Sequence, residues 1–418
     1  VVSLFPPPRF PPLAWRNVIH GGRRSLAAIS GAAFALTMVL LQLGFLEAVK
    51  ITAVNNFDLL EFDIVLLSSR YEQFYAPDFL PMERLRQAEG LDEVLGATPL
   101  YASFGLWRCP PYPLDSTWED ADQASQPGAL DRWWAGSRVR RPLQRRQLFV
   151  LGIDLDRAPF RSPIREAILE HKARLRLKDR VLLNSLSHPD FGWDLRDQFH
   201  DWELEEHSVE VVGGFPMLRG FAADSTVLCS DDNFFRLCGY GSRGTINFGL
   251  LTVRPDSIDQ TVDRLRSLLP SDVLVYSRSE ILTRETNHWV HQTSTGKLFA
   301  FGVLVAAIVA AVVVRQVLSN DVREHLPEYA TLKAMGYSTL RLGGVVVTQS
   351  LIYMVFSFVA SVGIAAVVYR VTEELAGVPM RMTAENLALT LILAAFVGAT
   401  TGVLTAYKLR SAQPADLF

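Results

Sequence analysis

Four stretches of this chain carry no charged side chain over the length that a helix needs to cross a bilayer. Ser25 to Leu46 is followed at once by Glu47 and Lys50, and Leu298 to Val314 ends at Arg315. Leu342 to Tyr369 is closed by Arg370, and Asn386 to Tyr407 by Lys408. About 20 apolar residues in a helix span the ~30 Å hydrocarbon layer, whereas a soluble helix of that length must show charge to water. The pattern predicts an α-helical membrane protein with four transmembrane helices, at 25–46, 298–318, 342–369 and 386–407. The first run is longer than the apolar part of a signal peptide and no small-x-small site follows it, so it is expected to remain as an anchor.

Between the first two spans lie about 250 residues, 47–297, too many for a loop and enough for a folded domain. Phe62 to Ser68 reads as a strand, Pro81 to Glu89 as a short helix and Val94 to Trp107 as a second strand region. Ile246 to Val253 reads as a strand, and Asp256 to Leu269 as a helix whose apolar face is Ile258, Val262, Leu265 and Leu268; Val273 to Tyr276 is a further strand. Two strand-helix-strand units separated by an insertion predict a split βαβ lobe over about 55–153 and 245–280. Between these units Leu148 to Ile153, Val209 to Val212 and Thr226 to Cys229 read as strands of a second, more irregular mixed lobe, whose main part is set at about 154–244. The expected class of this domain is α+β. Pro110 to Arg146, rich in Pro, Trp and Arg, reads as a long loop.

Charge adds orientation. The 418 residues are 49% hydrophobic and 20% charged with a net charge of -3, which excludes a disordered chain and gives no electrostatic footprint for nucleic acid. Lys and Arg beside the spans are retained in the cytoplasm. Arg9, Arg16, Arg23 and Arg24 place segment 1–24 there; Arg315, Arg323, Lys333 and Arg341 do the same for 319–341, as Lys408 and Arg410 do for 408–418. The short connection 370–385, with Glu373, Glu374 and Glu385 against Arg370 and Arg381, is expected outside with the large domain.

Candidate chemistry is sparse. Thr295-Gly296-Lys297 lacks the earlier Gly and the following Ser or Thr of a phosphate-binding loop, so the chain is expected to hydrolyse no ATP itself. His288 with His291, and Glu324-His325 with Glu328, do not reproduce zinc-hydrolase spacing. Asp154 and Asp156 have a spacing that can hold a divalent cation, but solvated turn residues have the same spacing. Of Cys109, Cys229 and Cys238, the last two could close a short loop, with burial of free thiols as the simpler expectation. No Asp, Glu, His, Lys or Arg lies inside the four charge-free runs, where an ion-coupled pump would keep one. Ser30, Thr37, Gln42, Thr348, Gln349, Ser350, Ser361, Thr400 and Thr401 are expected to hold helices together, and the Gly398/Gly402 spacing hints at dimerisation.

The segment Ser319 to Arg341 is the most informative. Leu326, Ala330, Leu332 and Met335 alternate with Arg323, Glu324, Glu328 and Lys333 as in an amphipathic helix, with Pro327 placed to open it and Gly336 to close it. Such a helix either rests on lipid headgroups or enters a groove on a soluble partner.

Glu328 to Gly336, EYATLKAMG, resembles the cytoplasmic motif of the FtsX-like permease family. Leu13-Ala14-Trp15-Arg16-Asn17, Leu41-Gln42-Leu43-Gly44-Phe45 and Pro414-Ala415-Asp416 are similar to its DevC-like branch. The resemblance covers the whole chain in its order of parts. It implies a non-catalytic permease subunit of a MacB-like, type VII ABC exporter, working as a homodimer in the cell inner membrane with a porter-like lobe in the periplasm. ATP and Mg would be bound by a separate cytoplasmic ABC ATPase subunit, with no cofactor and no metal in this chain. A HlyD-type periplasmic adaptor and a TolC-like outer-membrane duct are implied partners, beside membrane lipids, for export of a lipid, glycolipid or other amphiphile. Glu324, Glu328, Tyr329, Lys333 and Met335 are the residues implied to contact the ATPase. An FtsX-type regulator of a cell-wall hydrolase and a lipoprotein-releasing permease are the alternatives.

Overall fold

The computed structural model describes residues 11–20, 22–108, 145–188, 191–193, 202–239, 243–324, 328, 331–333 and 335–411. The expected loop Pro110 to Arg146 lies almost wholly outside them, as does Cys109. The chain opens with helices α1 (Pro11–His20) and α2 (Arg23–Asp58). There follow β1 (Ile64–Ser68), β2 (Leu80–Pro81), α3 (Met82–Glu89), β3 (Val94–Arg108), β4 (Arg146–Ile153), α4 (Ile164–Leu175) and β5 (Arg180–Asn184). Next are β6 (Trp202–Leu204), β7 (His207–Phe215), β8 (Thr226–Ser230), α5 (Asp231–Cys238), β9 (Thr245–Ile246), β10 (Phe248–Val253), α6 (Ile258–Leu268), β11 (Val273–Ser277) and α7 (Arg278–Asn287). A π-helical turn, His288–Gln292, leads into α8 (Ser294–Glu324), α9 (Thr339–Ala376) and α10 (Ala384–Ser411).

Four helices are long and apolar enough to cross a membrane, and they contain the four charge-free runs. The helices outlast the runs. α2 has 36 residues, about 54 Å of helix, and continues past Leu46 to Asp58; Glu47 and Lys50, one turn apart, pair at 3.1 Å in this extension. α8 continues six residues beyond the expected end of the second span at 318, so 319–324 is part of its rod rather than of a separate helix.

The chain divides into two units, one of residues up to Ile51 with Trp289 onward, the other Thr52–His288. The second unit is built on one nine-stranded sheet in the order β11-β1-β10-β3-β4-β8-β5-β7-β6. Within it β1-α3-β3 and β10-α6-β11 interleave, all four strands antiparallel to their neighbours, which is the split βαβ arrangement expected. The two expected lobes are two halves of this sheet. The long β3 carries both, pairing β10 through its first half and β4 through its second. β6 then returns to pair with the end of β3, Trp107 opposite Leu204, which closes the second half on itself and covers what would be an open edge. All five residues of β1, and all five of β8, are buried, as strands covered on both faces must be.

The helix over the split βαβ half corrects one detail. α6 buries Thr261, Val262 and Leu265, while Leu268, expected on that face, is 53% exposed. The chain turns extended at Leu269, which enters the core in its place, and Thr261 is tolerated there because its hydroxyl donates to the Ser257 carbonyl at 2.7 Å. Among the elements the sequence did not announce are the helices α1, α4, α5 and α7 and the strand β5, a five-residue run that only its neighbours β7 and β8 define as a strand.

Candidate functional site

The segment between the second and third spans ends in a defined cap. Gly336 has φ +95, a conformation open to glycine; its N–H donates to the Lys333 carbonyl at 3.0 Å and the Tyr337 N–H to the Leu332 carbonyl at 3.1 Å. This pair of bonds is the Schellman motif, whose companion is an apolar contact between the residues that stand here as Leu332 and Tyr337. Both side chains pack on one cluster with Ala14 of α1 and Leu342, Val345 and Val346 of α9. The expectation that Gly336 closes the helix corresponds to this cap.

The cap decides which side faces out. Glu328, Thr331 and Met335 are exposed, and at 100° per residue they fall within one narrow arc. Leu332 borders that arc and is half-buried, and Lys333, also half-buried, points away from it. Met335, expected on the covered apolar face, is 64% exposed. Of the residues implied to contact an ATPase, Glu328 and Met335 share the outward arc and Lys333 stands off it. Glu324 is in the last turn of α8, and Tyr329 lies outside the described residues, as do Leu326, Pro327 and Ala330. Thr331 joins the arc without having been anticipated; its spacing of three from Glu328 and four from Met335 was the available signal.

The floor under this segment is polar where it must be. Asn17 of α1 donates to Gln349 of α9 at 3.5 Å. Further along, Ser25 and Tyr353 share a hydrogen bond of 3.0 Å, Ser357 donates to the Ile29 carbonyl at 3.1 Å, and Tyr369 donates to the Leu40 carbonyl. Hydroxyls thus tie α2 to α9 along its length, but apart from Gln349 the residues that join these helices are not those expected in that role: Ser30, Thr37, Thr348, Ser361 and Thr400 each donate to a carbonyl three or four residues back in their own helix. Gly398 and Gly402 serve the same packing inside the chain: a Cβ at Gly398 would fall 2.6 Å from Met354 Cγ, and one at Gly402 2.9 Å from Val347 Cα. The small-residue spacing that hinted at dimerisation is accounted for by α9 against α10.

The large domain settles other candidates. Asp156 is bound by Lys172 at 2.8 Å and Arg176 at 2.5 Å, and these cations hold its carboxyl below the usual range, while Asp154 accepts from the Asp156 N–H at 2.8 Å. The pair is a neutralised turn. Cys229 and Cys238 are buried free thiols, each pushed up by burial, Cys238 to about 12, so neither is a thiolate nucleophile near neutral pH.

Residues 300–414 match the model of the FtsX-like permease C-terminal domain. No curated protein matches the chain. Among solved structures, the chain is similar to the periplasmic region of MacB from Actinobacillus actinomycetemcomitans at 8% identity, with 55% of this chain and 96% of that one covered and a TM-score of 0.33. It is also similar to the extracellular domain of the ABC-type transporter YknZ from Gram-positive bacteria, at 11% identity over 51% of this chain and 98% of that one, with a TM-score of 0.30. The matched stretch, residues 300–414, takes in nearly all of the last three candidate spans and the capped segment that follows the first of them, and it is this part of the chain that is similar to the C-terminal domain of FtsX-like permeases.

Proposed function

We propose that this chain is the membrane subunit of an ATP-driven exporter, in which the segment ending at Gly336 receives motion from a separate cytoplasmic ATPase and the spans deliver it to the inserted domain on the other side of the membrane. The observation that carries the reading is the family match over 300–414, which takes in this segment and nearly all of the three spans around it. Its outward arc of Glu328, Thr331 and Met335 is exposed, while Leu332 and Tyr337 seat it on α9. A push on the arc would thus act on the helix that α2 is bonded to. Spans free of charge agree with a relay rather than an ion pathway. On this reading the chain works as a homodimer, ATP and Mg belong to the ATPase, and an adaptor and outer-membrane duct complete the route for an amphiphile.

The test is copurification. Exchanging the charges, Glu328→Lys with Lys333→Glu, is expected to lower recovery of the ATPase subunit on the order of tenfold, about 1.4 kcal/mol at a contact of this kind, with membrane insertion unchanged. Undiminished recovery would remove the segment from the contact. Mass spectrometry of the same pulldown identifies the other partners: an adaptor and duct support export, whereas a cell-wall hydrolase or a bound lipoprotein would replace that part of the reading.

A further inference from the structure

The backbone passes between the helical unit and the inserted domain twice, at Ile51/Thr52 and at His288/Trp289, and the two crossings are built differently. The first lies inside α2, an α-helix unbroken from Arg23 to Asp58. The second lies inside the π-helical turn His288–Gln292, between α7 and α8.

α2 is held on both sides of its crossing. Ser25 meets Tyr353, Ser357 meets the Ile29 carbonyl and Tyr369 meets the Leu40 carbonyl, pairs separated in sequence by 328, 328 and 329 residues. α2 and α9 therefore run in the same direction in one register over about 22 Å, and neither slides along the other without breaking every bond. Gly44 leaves space for the Tyr369 ring and for Met380, whose Cε would lie 2.7 Å from a Cβ there. Past the boundary, Arg278 donates to the Asp58 carboxylate at 3.0 Å and to the Leu60 carbonyl at 2.9 Å, which fixes the end of α2 to the point where β11 becomes α7.

The second crossing is bent. In a straight helix, residues six and seven apart are separated by about 9–10 Å along the axis. A Cβ on Gly296 would instead overlap the carbonyls of Trp289 and Val290, 2.6 Å from the Val290 carbonyl carbon, so the backbone turns sharply here and has space only for glycine. A side chain bonds where the ladder is broken: the Thr293 hydroxyl donates to the Trp289 carbonyl at 2.6 Å and accepts from the Gly296 N–H at 3.2 Å. One hydroxyl on a rotatable bond holds an angle less firmly than the continuous backbone ladder of α2.

We propose that His288–Gln292 is a hinge, stitched by Thr293 and made possible by Gly296, and that α2, clamped to α9, is the rigid strut between the two units. The proposal rests on the relay reading above for its purpose, because it assigns the motion delivered through α9 to α2 and lets α8 change its angle to α7. The bonds that carry it do not depend on that reading.

Spin labels test both parts in the full-length protein, in nanodiscs without the ATPase and with the three native cysteines replaced. Phe34→Cys with Asn55→Cys brackets the crossing of α2, and Thr283→Cys with Leu304→Cys brackets the π-helical turn; both pairs are about 31 Å apart along an unbroken helix. The α2 pair is expected to give one narrow distance near about 31 Å, and the second pair a shorter mean with a distribution about twice as wide. Thr293→Val is expected to widen the second distribution further and Thr293→Ser to restore it, with the α2 pair unchanged by either. In the protein with its native cysteines and no labels, amides of 288–296 are expected to exchange with deuterium about a hundredfold faster than those of 48–57. Equal widths, equal exchange, or a Thr293→Val distribution no wider than its parent overturns the hinge, and a broad α2 pair overturns the strut. The relay reading fails separately, on undiminished ATPase recovery with Glu328→Lys and Lys333→Glu; unequal widths measured without the ATPase support hinge and strut whichever way that recovery falls.

Discussion

At the scale of single residues, the inserted domain depends on buried amides that satisfy several backbone groups at once. Asn233 in α5 is buried; its Nδ2 donates to the carbonyls of Leu175 at 3.3 Å, Leu177 at 2.9 Å and Arg180 at 3.2 Å. Its Oδ1 accepts from the Asp179 N–H at 3.1 Å and from Arg236 at 3.0 Å. Asp179 itself holds φ 66, a left-handed conformation that a non-glycine residue adopts only when its surroundings impose it. One side chain thus pins the whole turn from α4 into β5. Asn233→Ala leaves those groups without a partner and is expected to lose about 2–4 kcal/mol, read as a lowered urea midpoint of the domain's tryptophan emission in detergent-solubilised protein. A loss below about 0.5 kcal/mol would mean that water replaces the amide without penalty.

Between elements, the same residue type has unequal consequences depending on what it meets. Gly398 approaches Cγ of the buried Met354, near the root of its side chain, whereas Gly402 approaches the backbone of α9 at Val347. Met354 yields only by turning about its first side-chain torsion, but a helix backbone moves only with its helix. Gly402→Ala is therefore expected to lower the thermal midpoint of the solubilised protein more than Gly398→Ala, each by on the order of 1–3 kcal/mol. The reverse order would show that α9 and α10 are not held at this spacing. At the other end of α9, the cap at Gly336 shows how one residue joins two elements: the left-handed turn that stops one helix also aims Tyr337 at the cluster where α9 begins.

Over the inserted domain as a body, burial of titratable groups sets a pH limit. Burial raises the pKa of Cys229 and of Cys238, the latter from 9.0 to about 12. It also raises Tyr75 from 10.0 to about 12, and Tyr71, whose hydroxyl in addition donates to Glu285 at 2.7 Å. Each group keeps its proton longer in the folded domain than in the unfolded chain. The stability this supplies is fully present below the unfolded values, 9.0 for the thiols and 10.0 for the phenols, and is lost as pH rises through the folded ones. The urea midpoint is thus expected to be flat up to about pH 9 and to fall steadily toward about pH 12. Cys229→Ala with Cys238→Ala should delay the onset to where the phenols titrate. An unchanged onset in that variant would show that the thiols do not govern it.

How much of this was legible in the sequence follows from which signals are local. The membrane runs are local, because the cost of a charge in hydrocarbon acts on each residue separately, and the interleaved strand-helix-strand units are local because apolar periodicity repeats every two or every 3.6 residues. Gly336 was legible as a stop for the same reason. What the sequence could not show is partner choice. Leu268 fits the apolar pattern of α6 yet is exposed, because the direction of the chain at Leu269 decides which leucine reaches the core. Met335 fits an apolar stripe yet faces outward, because Leu332 and Tyr337 already fill the seat on α9 and α1. β3 reads as one long strand, but that it joins two half-sheets depends on β4, β6 and β10 meeting it from distant parts of the chain. Sequence by itself determined that the chain is membrane-embedded and where its helices can stop, since solvation acts on each position alone. Only tertiary structure decided which faces those helices show, since a face is covered or open according to neighbours hundreds of residues away.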